Sequence, residues 1–157
     1  MSGELVMRRA REDDLAAIVV MLVQDQIGGA DDAGPPLHPA YVEAFRAIDA
    51  SPDQLLMVAE FEGRIVGTMQ ITFIPGLLMR GAWRGQIEAV RIDSSVRGQG
   101  LGSRMIEWAV DRCRERGCAL VQLTSNNART DAHRFYERLG WNKSHAGFKL
   151  MLAKGDH

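Results

Sequence analysis

Apolar residues along this chain switch between helical and strand spacing. In "REDDLAAIVVML", Leu15, Ile18, Val19 and Leu22 lie three and four apart, which predicts a helix. Asp13 or Asp14 stands near its start, where acids suit the positive end of the helix dipole. "PAYVEAFRAI" predicts a short second helix with Tyr41, Phe45 and Ile48 on one side. Leu101, Met105, Ala109 and Cys113 are spaced by four, so "LGSRMIEWAVDRCRERG" predicts an amphipathic helix ended by Gly117. "RTDAHRFYERLG" predicts a further helix ending at Gly140. Six segments read as strands: "LVMRRA", "QLLMVAEFEG", "RIVGTMQITFI", "QIEAVRI", a buried-type "CALVQLT" and "GFKLML". Glu62-Gly63 reads as a hairpin turn and Pro75-Gly76 closes the strand after it. "GGADDAGPP" is the clearest loop, and Gly28 to Pro39 is expected to form a surface lid or rim. The order predicts an α/β (α+β) fold with a mixed sheet and helices on both faces, in one domain over residues 1–157.

Composition narrows the class. The 157 residues are 46% hydrophobic and 25% charged, with a formal net charge of -1. That is an ordinary soluble globular balance and gives no reason to expect nucleic acid or an anionic membrane as partner. The start, "MSGELVMRRARED", is charged and lacks the apolar core of a signal peptide. No run approaches the roughly 20 apolar residues of a membrane helix. Cys113 and Cys118 do not make a disulfide framework, so a reducing cytoplasm is the simplest home. No His/Cys/Asp spacing resembles a metal site.

The chemistry concentrates in "VRGQGLGSRM", Val96 to Met105, where glycines alternate just ahead of a helix. The first turn of a helix carries N–H groups with no partner inside the helix, and the macrodipole adds positive charge. A glycine loop before that turn lets phosphate oxygens approach the backbone closely. Arg97 adds a charge-assisted bond to the same anion. The plainer reading is a strand-to-helix turn that uses glycine for close packing. A P-loop does not fit, because Gly102 is followed by Ser103-Arg104 rather than Lys-Ser/Thr. A dinucleotide fingerprint does not fit either, since the position for its third glycine is Ser103; a dinucleotide-binding oxidoreductase therefore fails on spacing.

"VRGQGLG" resembles the acetyl-CoA pyrophosphate loop of the GNAT N-acyltransferase superfamily, with Arg97, Gly100 and Gly102 on its pattern. "IEAVRID" resembles the strand before that loop and "DAHRFYERLGW" the helix near the C-terminus. The resemblance implies a central mixed, mostly antiparallel sheet of six to seven strands flanked by about four helices. It implies acetyl-CoA as cosubstrate, no metal, a small-molecule or protein amine as acceptor, and a homodimer. Backbone groups of Val90, Arg91 and Ile92 would pair with the pantetheine arm, and one N–H there would polarise the thioester carbonyl. The N–H groups of Arg97, Gly98, Gln99, Gly100, Leu101, Gly102 and Ser103 would hold the pyrophosphate.

Glu88, two residues before Val90, is the candidate base; the alternatives are a carboxylate that only binds the substrate ammonium, or a surface pair with an arginine. Strict alternation puts Glu88 on the face of Val90 and Ile92, and a bulge in this strand, a family feature, would re-aim it. Tyr136 matches the family position for the acid that protonates the leaving thiolate, against a plain core tyrosine on the stripe of Phe135 and Leu139. Where the family often has a cofactor-binding asparagine, this chain has Arg129; Asn126 or Asn127 just upstream would take that role, or Arg129 would reach a CoA phosphate. His133 sits amid arginines and reads as structural or surface, Cys113 as core, and Cys118 as the start of a strand with nothing nearby in sequence to lower its pKa. "DRCRERG" reads as a solvated helix face. Trp83 and Arg84 are expected to line the acceptor site or a dimer contact. Two functions follow: an acetyl-CoA-dependent N-acetyltransferase, or a CoA-binding regulatory or sensor module on the same fold.

Overall fold

The computed structural model describes residues 3–24 and 37–153, and most of the predicted lid, residues 28–36, lies outside them. Described residues up to Leu123 form one compact unit, and those from Thr124 a second.

In the first unit, five strands make one sheet in the order of the chain: β1 (Leu5–Arg9), β2 (Gln54–Phe61), β3 (Arg64–Ile74), β4 (Trp83–Ile92) and β5 (Cys118–Gln122). The first three pairings are antiparallel and β4–β5 is parallel. The parallel step needs a crossover, and α4 (Leu101–Glu115) supplies it. Glu62 and Gly63 both have positive φ, 52° and 78°, which gives the β2–β3 turn the twist that suits a hairpin. After Pro75-Gly76, α3 (Leu78–Gly81) is a single turn with Met79 and Arg80 left-handed.

Helices cover both faces, as expected. Successive strand residues point to opposite faces. Val58, opposite Thr68, packs in a core with Ala10, Leu15, Ile18 and Phe45. That face therefore belongs to α1 (Leu15–Val23) and α2 (Pro39–Ala50). Gly67, the next residue to Thr68, meets Met105 of α4, so α4 holds the other face. The predicted stripe Leu101, Met105, Ala109 and Cys113 is buried there together with Ile106.

α4 can sit this close because β4 offers it no side chain at Gly85. An added Cβ at Gly85 would overlap Cys113 Sγ and lie 3.3 Å from Cys113 Cβ. Gly85→Ala is expected to cost about 1–3 kcal/mol in urea unfolding, and Cys113→Ala in the same chain to recover most of it. Equal stability of Gly85→Ala and the wild type would show that the helix yields freely.

The start of α1 is built differently from expectation. Asp14 is not merely an acid near the helix dipole: it is buried and takes both ends of the Arg8 guanidinium, at 2.8 and 2.9 Å. It also accepts the Arg11 N–H at 2.7 Å, and Arg8 Nε donates to Glu60 at 2.8 Å.

Three further expectations are corrected. Among the described residues the sheet has five strands, where six to seven were expected. "GFKLML" forms no strand: residues 147–152 pair with no described strand, and Phe148, Leu150 and Leu152 are 95%, 85% and 93% exposed. Alternation of apolar residues marks a strand only where an edge receives it. "CALVQLT" is not of buried type either; β5 ends at Gln122 and is the outermost strand, leaving Ala119 and Leu120 exposed.

The second unit contains α5 (Thr130–Arg138). It ends in a Schellman motif, with Gly140 N–H bonding Glu137 and Trp141 N–H bonding the Tyr136 carbonyl at 3.0 Å each.

Candidate active site

The parallel partner covers only half of β4. Trp83 to Gln86 pair with Cys118 to Gln122, and β5 stops there. Ile87 to Ile92, which include Val90, Arg91 and Ile92, have no described strand on that edge. Their outward backbone groups stand ready to pair with an extended ligand.

The same half of β4 carries a bulge. Thr68 of β3 faces Arg91 and Gln70 faces Glu88, so two β4 residues, Ala89 and Val90, oppose Met69 alone. Ala89 takes φ 55°, a left-handed value that costs a residue with a Cβ about 1–2 kcal/mol. The extra residue breaks the alternation of the strand. Ile92, opposite Gly67, faces α4, and so does Ile87, two residues on from Gly85. Glu88 instead shares the opposite face with Gln86, Gln70 and Thr72. Its side chain is exposed, while its neighbour Ile87 is buried. Without the bulge, Glu88 would share the face of Val90 and Ile92.

The chain then runs from Ile92 to α4 in a fixed loop. Asp93 accepts the Ser95 N–H at 2.9 Å and has Arg64 at 3.8 Å; the Ser95 N–H first, and Arg64 after it, hold its carboxyl below the usual carboxylate range. Arg64 also donates to the Ser95 hydroxyl at 2.7 Å. Val96 is buried and anchors the loop. Gly98 (φ 85°) and Gly100 (φ 74°) then turn it through left-handed conformations that L side chains rarely adopt. Nothing lies within 4 Å of where a Cβ would stand at either, so these glycines serve backbone shape and not packing. Gly100 precedes α4, and the first helical bond runs from Arg104 N–H to the Gly100 carbonyl. The N–H groups of Leu101, Gly102 and Ser103 therefore have no partner within the helix. Arg97 and Gln99 are exposed beside them. Both features fit a ligand with an extended amide arm and a diphosphate: an open strand edge and, one short loop later, a bare positive helix end.

The second unit holds Tyr136 within a small aromatic group, 5.0 Å from Phe135 and 5.8 Å from Trp141 between ring centroids. Asn126 forms the turn before α5: its side chain accepts the Ala128 N–H at 2.8 Å, and its carbonyl meets His133 Nε2 at 2.9 Å. His133 thus has the structural role expected of it. Asn127 and Arg129 are exposed, Arg129 at the mouth of α5.

Other candidates separate from this geometry. Trp83 pairs with Cys118 five residues before Glu88, about 16 Å along the strand, and alternation puts it on the face of Gly85 and Ile87, away from Glu88. Arg84 lies on the Glu88 face by alternation, but its guanidinium sits over Gly76, 3.0 Å from where a Cβ would be. The Cys113 thiol is buried and pushed up to about 11 by that burial, with Cys118 beside it also raised, so neither is a ready nucleophile. Among the described residues, no three His, Cys, Asp or Glu side chains are placed to hold a metal, and no helix is long and apolar enough to cross a membrane. Sequence reasoning missed the glutamines Gln70 and Gln86 beside Glu88; only strand register reveals them.

The model of the acetyltransferase (GNAT) family matches residues 16–141. The chain is 29% identical over 140 residues to an aminoalkylphosphonate N-acetyltransferase of Salmonella typhimurium, covering 89% of this chain and 84% of that one. It is 36% identical over 90 residues to a glucosamine 6-phosphate N-acetyltransferase of Trypanosoma brucei brucei, 57% of this chain and 59% of the relative. A solved structure described as a transcriptional regulator from Bacillus halodurans superposes with a TM-score of 0.89 at 44% identity, over 95% of this chain and all of that one. With the bulged, half-open strand and the glycine-led helix on one side and a match through most of its length on the other, the chain belongs to the GNAT acetyltransferase family.

Proposed function

We propose that this protein transfers an acetyl group from acetyl-CoA to a primary amine of a small molecule. The observation that carries the reading is the C-terminal half of β4. There an unpaired edge, a bulge that turns Glu88 outward and the bare N-terminus of α4 follow one another within sixteen residues of chain, from Glu88 to Ser103. Val90, Arg91 and Ile92 pair with the pantetheine arm, and Arg97 to Ser103 hold the diphosphate on backbone N–H groups. The names of the two curated relatives, both acting on amines of small molecules, support the acceptor class. The family match runs through both compact units and supports reading the chain as one domain of the family.

An aliphatic amine is mostly protonated at neutral pH, with a pKa of about 10.4. Glu88, directly or through water, takes a proton from it. The freed nitrogen attacks the thioester carbonyl carbon, a β4 N–H stabilises the oxyanion, the C–N bond forms, the nitrogen gives up its second proton to solvent, and the C–S bond breaks. Tyr136 returns a proton to the departing sulfur, giving CoA as free thiol and an N-acetylated product. Tyr136→Phe is expected to slow turnover about 10²-fold, with acetyl-CoA affinity unchanged, in steady-state assays paired with calorimetry. Unaltered turnover would leave Tyr136 as an aromatic packing residue.

A second reading, a CoA-binding regulatory module, takes support from the Bacillus halodurans relative described as a transcriptional regulator. Release of free thiol from acetyl-CoA across an amine panel separates the two. Amine-dependent release supports the transferase; CoA binding without it supports the module.

A further inference from the structure

The face of the sheet that carries Glu88 is lined by amides. Strand register places Gln54 of β2 opposite Thr72 of β3, Thr72 opposite Gln86 of β4, and Gln86 opposite Gln122 of β5. Gln70 lies beside Thr72 on this face and directly opposite Glu88. Partners across a sheet point to the same face, so these six side chains form one row across four strands. Two sets of hydrogen bonds hold it. Gln54 Oε1 accepts from Gln70 Nε2 at 3.0 Å and from the Thr72 hydroxyl at 2.8 Å. Gln122 Nε2 donates to Gln86 Oε1 at 2.7 Å. Each amide is thereby fixed at one end, and its other end has no hydrogen-bond partner among the described residues. All six side chains are half-buried or exposed.

Resting on the acetyl-transfer reading, we propose that this row is the acceptor-binding floor and that it selects a compact primary amine bearing uncharged hydrogen-bonding groups, hydroxyls above all, next to its nitrogen. The amides of Gln70 and Gln86 flank Glu88 on the neighbouring strand and on its own strand. An amine drawn to the carboxylate brings its adjacent atoms onto them. Amides offer both donors and acceptors, which suits a hydroxyl and gives nothing to an alkyl chain. A simple alkylamine would leave the amide ends without partners, and that loss is the source of discrimination. Glu88 is the one charge within the row. Two arginines of β4 share this face: Arg84 lies over Gly76, and Arg91 Nη1 donates to the Val90 carbonyl at 2.9 Å. The neutral amides of the row suit a neutral polar group beside the ammonium.

Matched acceptor pairs test this: 2-aminoethanol against propylamine, and glucosamine against cyclohexylamine. The hydroxylated member of each pair is expected to show a kcat/KM at least about tenfold higher, and Gln86→Leu with Gln122→Leu to collapse that ratio toward one. The Kd of acetyl-CoA, unchanged in the variants, reports that the fold is kept. Calorimetry of the same amines with the CoA-loaded protein reads binding without chemistry. Equal kcat/KM within the pairs, or a ratio the glutamine variants leave intact, overturns the amide floor while acetyl transfer stands. Preferential binding of the hydroxylated amines, lost in the variants but with no thiol released, upholds the floor and overturns the transferase. No preference in either measurement overturns the floor.

Discussion

Replacing Glu88 with glutamine is expected to lower kcat for acetyl transfer about 10²–10⁴-fold while acetyl-CoA binds as before. The variant keeps the shape and exposure of the side chain and removes its capacity to take a proton. The bulge at Ala89 is what makes Glu88 available. It costs a left-handed alanine, and it moves one carboxylate from the α4 face of β4 to the amide-lined one. Acetyl-CoA is not expected to feel the change, because its proposed contacts lie beyond the bulge, on Val90 to Ile92 and on the loop to α4. Steady-state kinetics with calorimetry checks both halves. A rise in KM for the amine with kcat intact would make Glu88 an ammonium-binding group and leave deprotonation to water. A matching experiment on the backbone is Ala89→Gly, which relieves the strain and keeps the bulge, and so leaves turnover near wild type.

Asp14→Ala is expected to destabilise the protein by about 3–5 kcal/mol, the largest stability effect of any single change considered. The reason is what the substitution leaves behind. Arg8 and Asp14 are joined by two hydrogen bonds, and Arg8 is only 22% exposed as a side chain against 7% for Asp14. Alanine strands a half-buried guanidinium with Glu60 as its remaining partner and frees the Arg11 N–H at the start of the helix. A small domain has only about 5–15 kcal/mol in hand, so the variant sits near unfolding. The pair also sets a pH dependence. The Arg8 hydrogen bonds, foremost, hold the Asp14 carboxyl below the usual carboxylate range. A carboxyl with a lowered folded-state pKa contributes stability that is present above its unfolded value, about 3.9, and is lost as pH falls through the folded value. Urea midpoints followed downward from pH 7 should fall for the wild type below about pH 4, and the difference from Asp14→Ala should narrow there. A constant difference down to pH 2 would remove the ion pair as its source.

Most of the architecture is local enough to be legible in the chain. The α4 stripe could be read because a helix buried on one side repeats its apolar residues every three to four positions, and Leu101, Met105, Ala109 and Cys113 do so. The Glu62-Gly63 turn and the glycines before α4 could be read because turns and helix mouths demand particular backbone conformations, which few residues supply. The same local logic overreached at residues 147–152, which alternate as a strand does yet pair with no described strand. It also made β5 a buried strand, when burial depends on what lies outside it.

What composition and spacing settled was the kind of molecule: a mixed sheet with helices on both faces and an anion-ready helix end after its fourth strand. What tertiary structure decided was where the chemistry points. The left-handed Ala89 is invisible in "IEAVRI", because alanine has no preference for it; the register of β3, with Thr68 on Arg91 and Gln70 on Glu88, imposes it. Arg8 meets Glu60 across 52 residues, Gly85 makes room for Cys113, and Gln54, Gln70, Gln86 and Gln122 become one row only when four strands lie side by side. Spacing along a chain reports which face a residue takes within its own element; pairing between elements sets which residues share that face, and it is the sharing that makes a site.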